Sequence, residues 1–138
     1  MMLMKNVLIA AALAACLGTA QARSTAMLEP ERVMVVVGNQ TEEAIKGAVV
    51  RGGARHDWIV QADAPGKLTL KQNKNNKHEA VVEVAYDNTG FQIRYVSSIN
   101  LNFEASSSGK QIHPTYNRWV QNLQRAISAE INSLPPAR

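Results

Sequence analysis

Apolar and polar residues alternate through the middle of the chain, which predicts a series of β-strands. In residues 67–72, Leu68 and Leu70 alternate with lysine and threonine. The alternation continues through 79–86 and 91–97, where the apolar positions are Ala80, Val82, Val84, Tyr86, Phe91, Ile93 and Tyr95. A period of two places these side chains on one face of each strand. Turn-forming residues separate the segments and a further strand is predicted at 58–63, so we expect an antiparallel meander with one face in the core.

Apolar residues at three- and four-residue intervals predict a helix on each side of these strands. Asn39 or Thr41 caps the first helix, and Gly52-Gly53 is expected to end it. The second helix begins at Pro114 and ends before Pro135-Pro136. Its apolar stripe comprises Tyr116, Trp119, Val120, Leu123, Ile127, Ile131 and Leu134.

The order of these elements predicts an α+β fold. The β-branched run at 33–37 indicates a buried strand before the first helix. The order is then β-α-β-β-β-β-α, an antiparallel sheet of about five strands with two helices packed on one face. Residues 97–112 lack periodicity and are expected to form a loop, and residues 23–31 are expected to be a linker. Residues 32–138 then form a single α+β domain.

The first 22 residues have the layout of a cleaved signal peptide. Lys5 precedes an uncharged apolar run at 7–17, and Ala20-Gln21-Ala22 fits the small-residue cleavage rule. The alternative is cleavage of residues 1–15, because Leu13-Ala14-Ala15-Cys16 resembles the lipobox of bacterial lipoproteins. Both predict a protein in the periplasm, either soluble or anchored to the membrane through lipid on Cys16. Cys16 is the only cysteine, so neither route leaves a disulfide.

The length and net charge of the chain limit the kinds of binding partner that we expect. The chain has 138 residues and a net charge of +4, which suits one domain and is too little positive charge to indicate nucleic-acid binding. Four lysines lie on one predicted hairpin: Lys67, Lys71, Lys74 and Lys77. They are expected to keep the hairpin solvated, with contact to anionic lipid or an acidic partner as the alternative.

The sequence shows no pattern typical of catalysis, metal binding or a cofactor. His56, His78 and His113 have no cysteine or carboxylate at the spacing of metal ligands. The chain also lacks a nucleophilic serine motif and a glycine-rich phosphate loop. The pairs His56-Asp57 and Glu83/Asp87 are explained by strand ends, a polar strand face and a turn. We therefore predict that the protein is not an enzyme and uses no metal or cofactor.

Residues 95–123 are dense in polar and aromatic side chains that are costly to order. Seven of them are candidate site residues: Asn100, Asn102, His113, Tyr116, Asn117, Arg118 and Trp119. One hypothesis is a structural clasp, in which His113 and Asn117 fasten the 97–112 loop to the start of the final helix. The other is a recognition surface where this loop meets the helix.

The same segment carries a family resemblance. Its pattern is Tyr95-x-x-Ser98-x-Asn100-Leu101-x-Phe103, followed by Ile112-His113-x-x-Tyr116-Asn117-x-Trp119-Val120-x-Asn122-Leu123. It resembles a family of small exported proteobacterial proteins, many of them known only as lipoproteins of unknown function. Their usual companion feature is a lipobox, which Cys16 would supply. The resemblance implies export, but it implies no activity and no catalytic residues.

Together these features predict a non-enzymatic binding or interaction module of the cell envelope. Its partner is an unidentified envelope protein or ligand. One alternative is a small-ligand-binding protein or enzyme that uses the loop–helix surface at 98–119. A second alternative is an inhibitor of a periplasmic enzyme, in which a projecting loop such as 73–77 enters a cleft.

Overall fold

Two helices and eight strands make up residues 24–136, the part of the chain that the computed structural model describes. In chain order they are β1 (Thr25–Ala26), β2 (Val33–Met34), α1 (Glu42–Ala54), β3 (Ile59–Ala64), β4 (Lys67–Lys74), β5 (His78–Asp87), β6 (Gly90–Ile99), β7 (Glu104–Ser106), β8 (Gly109–Ile112) and α2 (Pro114–Asn132). The predicted α+β class is confirmed. The predicted signal peptide and Cys16 lie outside the described residues.

The larger sheet has five antiparallel strands in the order β2-β6-β5-β4-β3. The apolar positions of the alternating segments are buried as predicted: Leu68, Leu70, Ala80, Val82, Val84, Tyr86, Phe91 and Ile93. They share one core with the apolar faces of both helices, including Ile45, Val49, Leu123 and Ile127. The core therefore lies between the helices and one face of the sheet, which leaves the polar positions of the strands on the other face.

Gly52 and Gly53 do not end the first helix, in contrast to the sequence prediction. The helix continues through them to Ala54, and both glycines are buried. A Cβ atom on Gly52 would lie 2.8 Å from the backbone nitrogen and Cα of Ile127 in α2. The absence of a side chain here allows the two helices to cross at close distance, and this outweighs the lower helix propensity of glycine.

Two segments that lack periodicity contain a second, three-stranded sheet in the order β1-β8-β7. The predicted loop at 97–112 contains the β7–β8 hairpin, and the predicted linker at 23–31 supplies β1, which pairs Thr25 with Ile112. Met27, which follows β1, is buried. These strands are two to four residues long and largely exposed, so their sequences show no alternating pattern from which they could be predicted.

The apolar run at 33–37 is not a buried strand. Only Val33 and Met34 pair, with Phe91 and Gly90 at the edge of the larger sheet. The side chain of Val36 is 82% exposed and that of Met34 is also exposed. A run of β-branched residues fits an edge strand as well as a central one, because strand propensity does not report burial.

Candidate functional site

The seven residues singled out in the 95–123 segment do not converge on one site. Asn100 and Asn102 both adopt left-handed backbone conformations, with φ of 60° and 57°, in the turn after β6. Asn100 also donates from Nδ2 to the carbonyl oxygen of Lys77 at 2.6 Å, which joins this turn to the β4–β5 turn. Asparagine tolerates such conformations better than most residues, so both positions have a backbone role.

His113 is the residue that begins α2. Its Nδ1 accepts a hydrogen bond from the backbone nitrogen of Thr115 at 3.0 Å, so its side chain caps the helix. Its backbone nitrogen donates to the carbonyl oxygen of Leu101 at 2.7 Å, which ties the 97–112 segment to the helix start. Pro114 occupies the first helical position, where the N–H group that proline lacks would have no partner within the helix.

Asn117 holds a different segment from the one expected. Its Oδ1 accepts from the backbone nitrogen of Leu28 at 2.9 Å, and its Nδ2 donates to the carbonyl oxygen of Ala26 at 3.0 Å. The amide thus pairs with the backbone after β1, as a neighbouring strand would. Asn117 fastens residues 26–28 to α2, whereas the clasp hypothesis assigned it to the 97–112 segment.

The remaining three candidate residues, Tyr116, Arg118 and Trp119, have three different environments. Tyr116 is buried and packs edge-on against Tyr95, and this burial raises its pKa. Arg118 is exposed, and its guanidinium donates to Thr115 Oγ1 at 3.2 Å on the same helix turn. Trp119 is half-buried at the margin of the core and lines a pocket. Trp58, by contrast, is the tryptophan within the core.

The pocket beside Trp119 brings together residues from three elements and has a volume of about 190 Å³. The turn after α1 contributes Arg55, His56 and Asp57. Asp57 has a φ of 66°, and this left-handed residue reverses the chain from α1 towards β3. We call the space that these residues share with β4 and α2 the Gln72 pocket.

Strand β4 and helix α2 supply the rest of the Gln72 pocket. Gln72 and Lys74 come from the end of β4, and Trp119 and Asn122 come from α2. Trp119 and Asn122 are three residues apart, which places them on the same side of the helix. Gln72 continues the inward positions Leu68 and Leu70, so its amide lies at the end of the core.

Gln72 is a buried polar residue whose side-chain oxygen lacks a hydrogen-bond partner. It is 7% exposed, and within residues 24–136 its Oε1 accepts no hydrogen bond. Gln40, which is 5% exposed, donates from Nε2 to the carbonyl oxygen of Pro135 at 3.0 Å. The other buried side-chain polar atom without a partner in this part of the chain, Trp58 Nε1, does not line the pocket. A buried polar atom without a partner costs about 1–3 kcal/mol, and of these two atoms Gln72 Oε1 is the one whose residue lines the pocket.

The other polar side chains of the Gln72 pocket have also kept most of their hydrogen-bonding capacity. Arg55 makes one long contact, 3.4 Å from Nη1 to Glu130 Oε2, and Asn122 Oδ1 accepts from Arg125 at 3.4 Å. Among the described residues Lys74 forms no ion pair, whereas Lys67 and Lys71 on the same strand pair with Glu83 and Glu79. The pocket therefore presents several donors and acceptors at one place.

Two larger surface grooves each contain an ion pair. The groove of about 430 Å³ between α1 and the β3–β4 turn contains the ion pair of Lys46 with Asp63 at 2.8 Å, and this bond raises the pKa of Lys46. The groove of about 310 Å³ beside β6 contains the ion pair of Lys110 with Glu29 at 3.0 Å. Glu42 and Glu43 also line the first groove and Glu31 the second, but within residues 24–136 neither groove is lined by a buried side-chain polar atom without a partner.

Residues 24–136 hold no group of three or more potential metal-ligating side chains, and no helix among them is long and apolar enough to cross a membrane. Of the seven candidate residues predicted from the sequence, only Trp119 lines the Gln72 pocket. An indication was present, because Gln72 is a polar residue on the apolar face of an alternating strand. Its neighbours in the pocket come from distant parts of the chain, and no spacing rule connects them.

No protein-family model matches the chain, and neither does any curated protein or solved structure. The resemblance drawn from residues 95–123 stays a prediction. The functional assignment therefore depends on the chemistry of the site itself.

Proposed function

We propose that this chain is an exported, non-enzymatic binding protein of the bacterial envelope, and that it holds a small polar ligand in the Gln72 pocket. The observation that carries the proposal is the buried Gln72 amide, whose Oε1 has no partner within residues 24–136. Oε1 is closed off from solvent, so a ligand in the pocket would satisfy it once rotation of the side chain brings it to the pocket surface. Rotation of the amide exchanges Oε1 and Nε2, so Gln72 can offer a ligand either an acceptor or a donor.

The chemistry around the pocket favours binding over catalysis. Catalytic groups act through a perturbed pKa in a cleft, with a second group that orients them. The carboxyls whose pKa is lowered, Asp87 and Glu130, do not line the pocket and are explained by their own hydrogen bonds to Thr89 and to Arg51. Four of the six polar side chains at the pocket are amides or cations, which bind a ligand through hydrogen bonds and charge, and the other two are His56 and Asp57.

The contacts at 73–77 do not favour an inhibitory loop. Asn75 and Asn76 both have a φ of 57°, the conformation of a tight hairpin turn. Asn73 Oδ1 accepts from the backbone nitrogen of Asn76 at 2.9 Å, and Asn100 holds the carbonyl oxygen of Lys77. The segment is a short turn fastened at its base, which has little length to insert into the cleft of an enzyme.

Export is supported by the sequence of residues 1–22, with Lys5 before the apolar run and Ala20-Gln21-Ala22 after it. The intact mass of the protein from an envelope fraction tests it. A mature chain that starts at Arg23 supports a soluble periplasmic protein, and an acylated Cys16 supports a lipid-anchored one. An uncleaved chain in the cytoplasm would contradict both.

Nuclear magnetic resonance of the processed protein tests ligand binding. Mixtures of small sugars, amino acids and organic acids are added to protein labelled with nitrogen-15. Binding in the pocket is expected to shift the side-chain amide signals of Gln72 and Asn122 and the indole signal of Trp119. The signal of Asn117, which is bonded to residues 26–28, is the internal control.

The variant Gln72→Met keeps the approximate volume of the side chain and removes its amide. It is expected to weaken by at least tenfold the binding of any compound that shifts the pocket signals. Shifts confined to other parts of the surface, or equal binding by Gln72→Met, would count against the proposal.

A further inference from the structure

We infer that the ligand of the Gln72 pocket is an acidic sugar, a single hydroxylated ring that carries one carboxylate. This inference rests on the proposed function and names the chemical class of its ligand. The pocket volume of about 190 Å³ is below the roughly 300–1,000 Å³ typical of sites for drug-sized molecules. A pocket of this size suits one sugar ring, either free or at the end of a longer chain.

Trp119 supplies the apolar wall of the pocket. Its side chain is half-buried and packs against the core, so part of the indole stays accessible at the pocket. A pyranose ring has an apolar face formed by its C–H groups and a rim of hydroxyls. The pocket has an aromatic wall beside polar side chains. The apolar face of a sugar can therefore pack against the indole while its hydroxyls form hydrogen bonds with the polar side chains.

The amides and the carboxylate of the pocket match the hydroxyl rim of a sugar. Each hydroxyl both donates and accepts hydrogen bonds. Gln72 and Asn122 offer a donor and an acceptor each, and Asp57 is an acceptor when ionised. A ligand with only acceptors, such as a simple inorganic anion, would leave Asp57 facing like charge and the apolar wall uncovered.

The charges around the pocket favour one negative group on the ligand. Arg55 and Lys74 are cationic and Asp57 is anionic, which gives a net charge of +1 with His56 neutral. Arg55 retains donors beyond its long contact with Glu130, and Lys74 has no ion pair within residues 24–136. A single carboxylate balances this charge and takes charge-assisted hydrogen bonds from the guanidinium or the ammonium.

Titration calorimetry and the pocket resonances of the processed protein test the inference with three sugars. The probes are D-glucuronate, N-acetylmuramic acid and neutral D-glucose. At least one of the two acidic sugars is expected to bind at least tenfold more tightly than glucose. A preference for N-acetylmuramic acid indicates a cell-wall source of the ligand, and a preference for glucuronate indicates a uronic acid source.

Two lysine variants on strand β4 separate the charge effect from general effects of mutation. Lys74→Gln is expected to reduce the preference for the acidic sugar over glucose by at least fivefold, because it removes the cation at the pocket. Lys67→Gln is the matched control, since Lys67 lies on the same strand but pairs with Glu83 outside the pocket. It is expected to leave the preference unchanged. Trp119→Ala is expected to weaken the binding of acidic sugar and glucose alike.

The results distinguish failure of the inference from failure of the proposed function. Equal binding of glucose and both acidic sugars, or an unchanged preference in Lys74→Gln, would overturn the acidic-sugar assignment. If no sugar shifts the Gln72 signal but another small polar compound does, the assignment falls and the proposed function stands. If nothing in the ligand mixtures shifts that signal, both are wrong.

Discussion

At the scale of single residues, Gln40 and Gln72 form a natural comparison. Both residues are buried to a similar extent, but Gln40 Nε2 donates to the carbonyl oxygen of Pro135, whereas Gln72 Oε1 has no partner within residues 24–136. Removing a bonded buried amide loses the bond and leaves its partner unsatisfied, whereas removing an unbonded one relieves a desolvation cost. The two glutamines should therefore respond in opposite directions to the same substitution.

We expect Gln72→Met to leave the free energy of unfolding unchanged or to raise it by about 1–2 kcal/mol. Gln40→Met is expected to lower it by about 1–2 kcal/mol. Urea denaturation of both variants measures the difference. An equal loss in both would show that Gln72 is satisfied in solution, for instance by bound water, and would remove the main support for the pocket. A gain in stability together with weaker ligand binding is the pattern of a functional residue.

Asp87 makes the stability of the protein dependent on acidic pH. Its Oδ1 accepts hydrogen bonds from the hydroxyl and the backbone nitrogen of Thr89, both at 2.7 Å, and from Arg32 at 2.7 Å. These bonds, those of Thr89 first, lower its pKa from an ordinary value of 3.8 to about 2. Because the folded pKa is below the unfolded one, this stabilisation is present above about pH 4 and is lost as the pH falls towards 2.

We therefore expect Asp87→Asn to be less stable than the parent at pH 6 and to lose less stability between pH 4 and pH 2. Urea midpoints at a series of pH values measure both slopes. The two curves should approach each other at the acidic end, where the Asp87 carboxyl of the parent is protonated. Parallel curves across this range would show that Asp87 contributes no pH dependence.

At the scale of elements, the crossing of α1 and α2 depends on Gly52. A Cβ atom there would meet the backbone of Ile127 at 2.8 Å, and a backbone cannot move aside as a flexible side chain can. Gly52→Ala is expected to lower the free energy of unfolding by about 2 kcal/mol or more, within the range for overpacked cores. Thermal and urea unfolding measure the loss.

Gly47 in the same helix is the matched control for Gly52. A Cβ atom on Gly47 would approach only the guanidinium end of Arg51, at 3.0 Å, and this flexible group can move. Gly47→Ala is expected to be neutral or to stabilise the protein by up to about 1 kcal/mol, because alanine has the higher helix propensity. Similar losses in both variants would mean that close crossing is not the reason for Gly52.

The long elements could be predicted from the sequence and the short ones could not. Strands β4, β5 and β6 alternate over eight to ten residues, and α2 repeats its apolar stripe over 19 residues, so each buries one face that the pattern reveals. Strands β1, β7 and β8 have two to four residues and depend on each other for pairing. The role of Gly52 was also hidden, because it depends on Ile127, which is distant in the sequence.

At the scale of the whole molecule, residues 25–34 contact both sheets and the final helix. The segment begins as β1 beside β8, passes α2 at Asn117, and ends as β2 beside β6. Between these points the carbonyl oxygen of Pro30 accepts from Gln92 at 3.1 Å, and Arg32 pairs with Asp87. Local patterns predicted a linker at 23–31 because the contacts that order these residues are all distant along the chain.

Asn117 is the point where this segment is held to the final helix, and its removal tests whether the segment is a stabilising part of the fold. Asn117→Ala breaks the hydrogen bonds to the Leu28 nitrogen and the Ala26 carbonyl. We expect a loss of about 1–3 kcal/mol of stability, and amide exchange at Leu28 at least tenfold faster than in the parent. Hydrogen exchange followed by nuclear magnetic resonance measures both the local and the global effect.

Asn122→Ala is the control, since Asn122 lies on the same helix and makes only a 3.4 Å contact with Arg125. This variant should leave the amide of Leu28 protected from exchange. If Leu28 is equally protected in Asn117→Ala, β1 and β2 hold the segment without the amide, and Asn117 becomes a candidate for surface recognition.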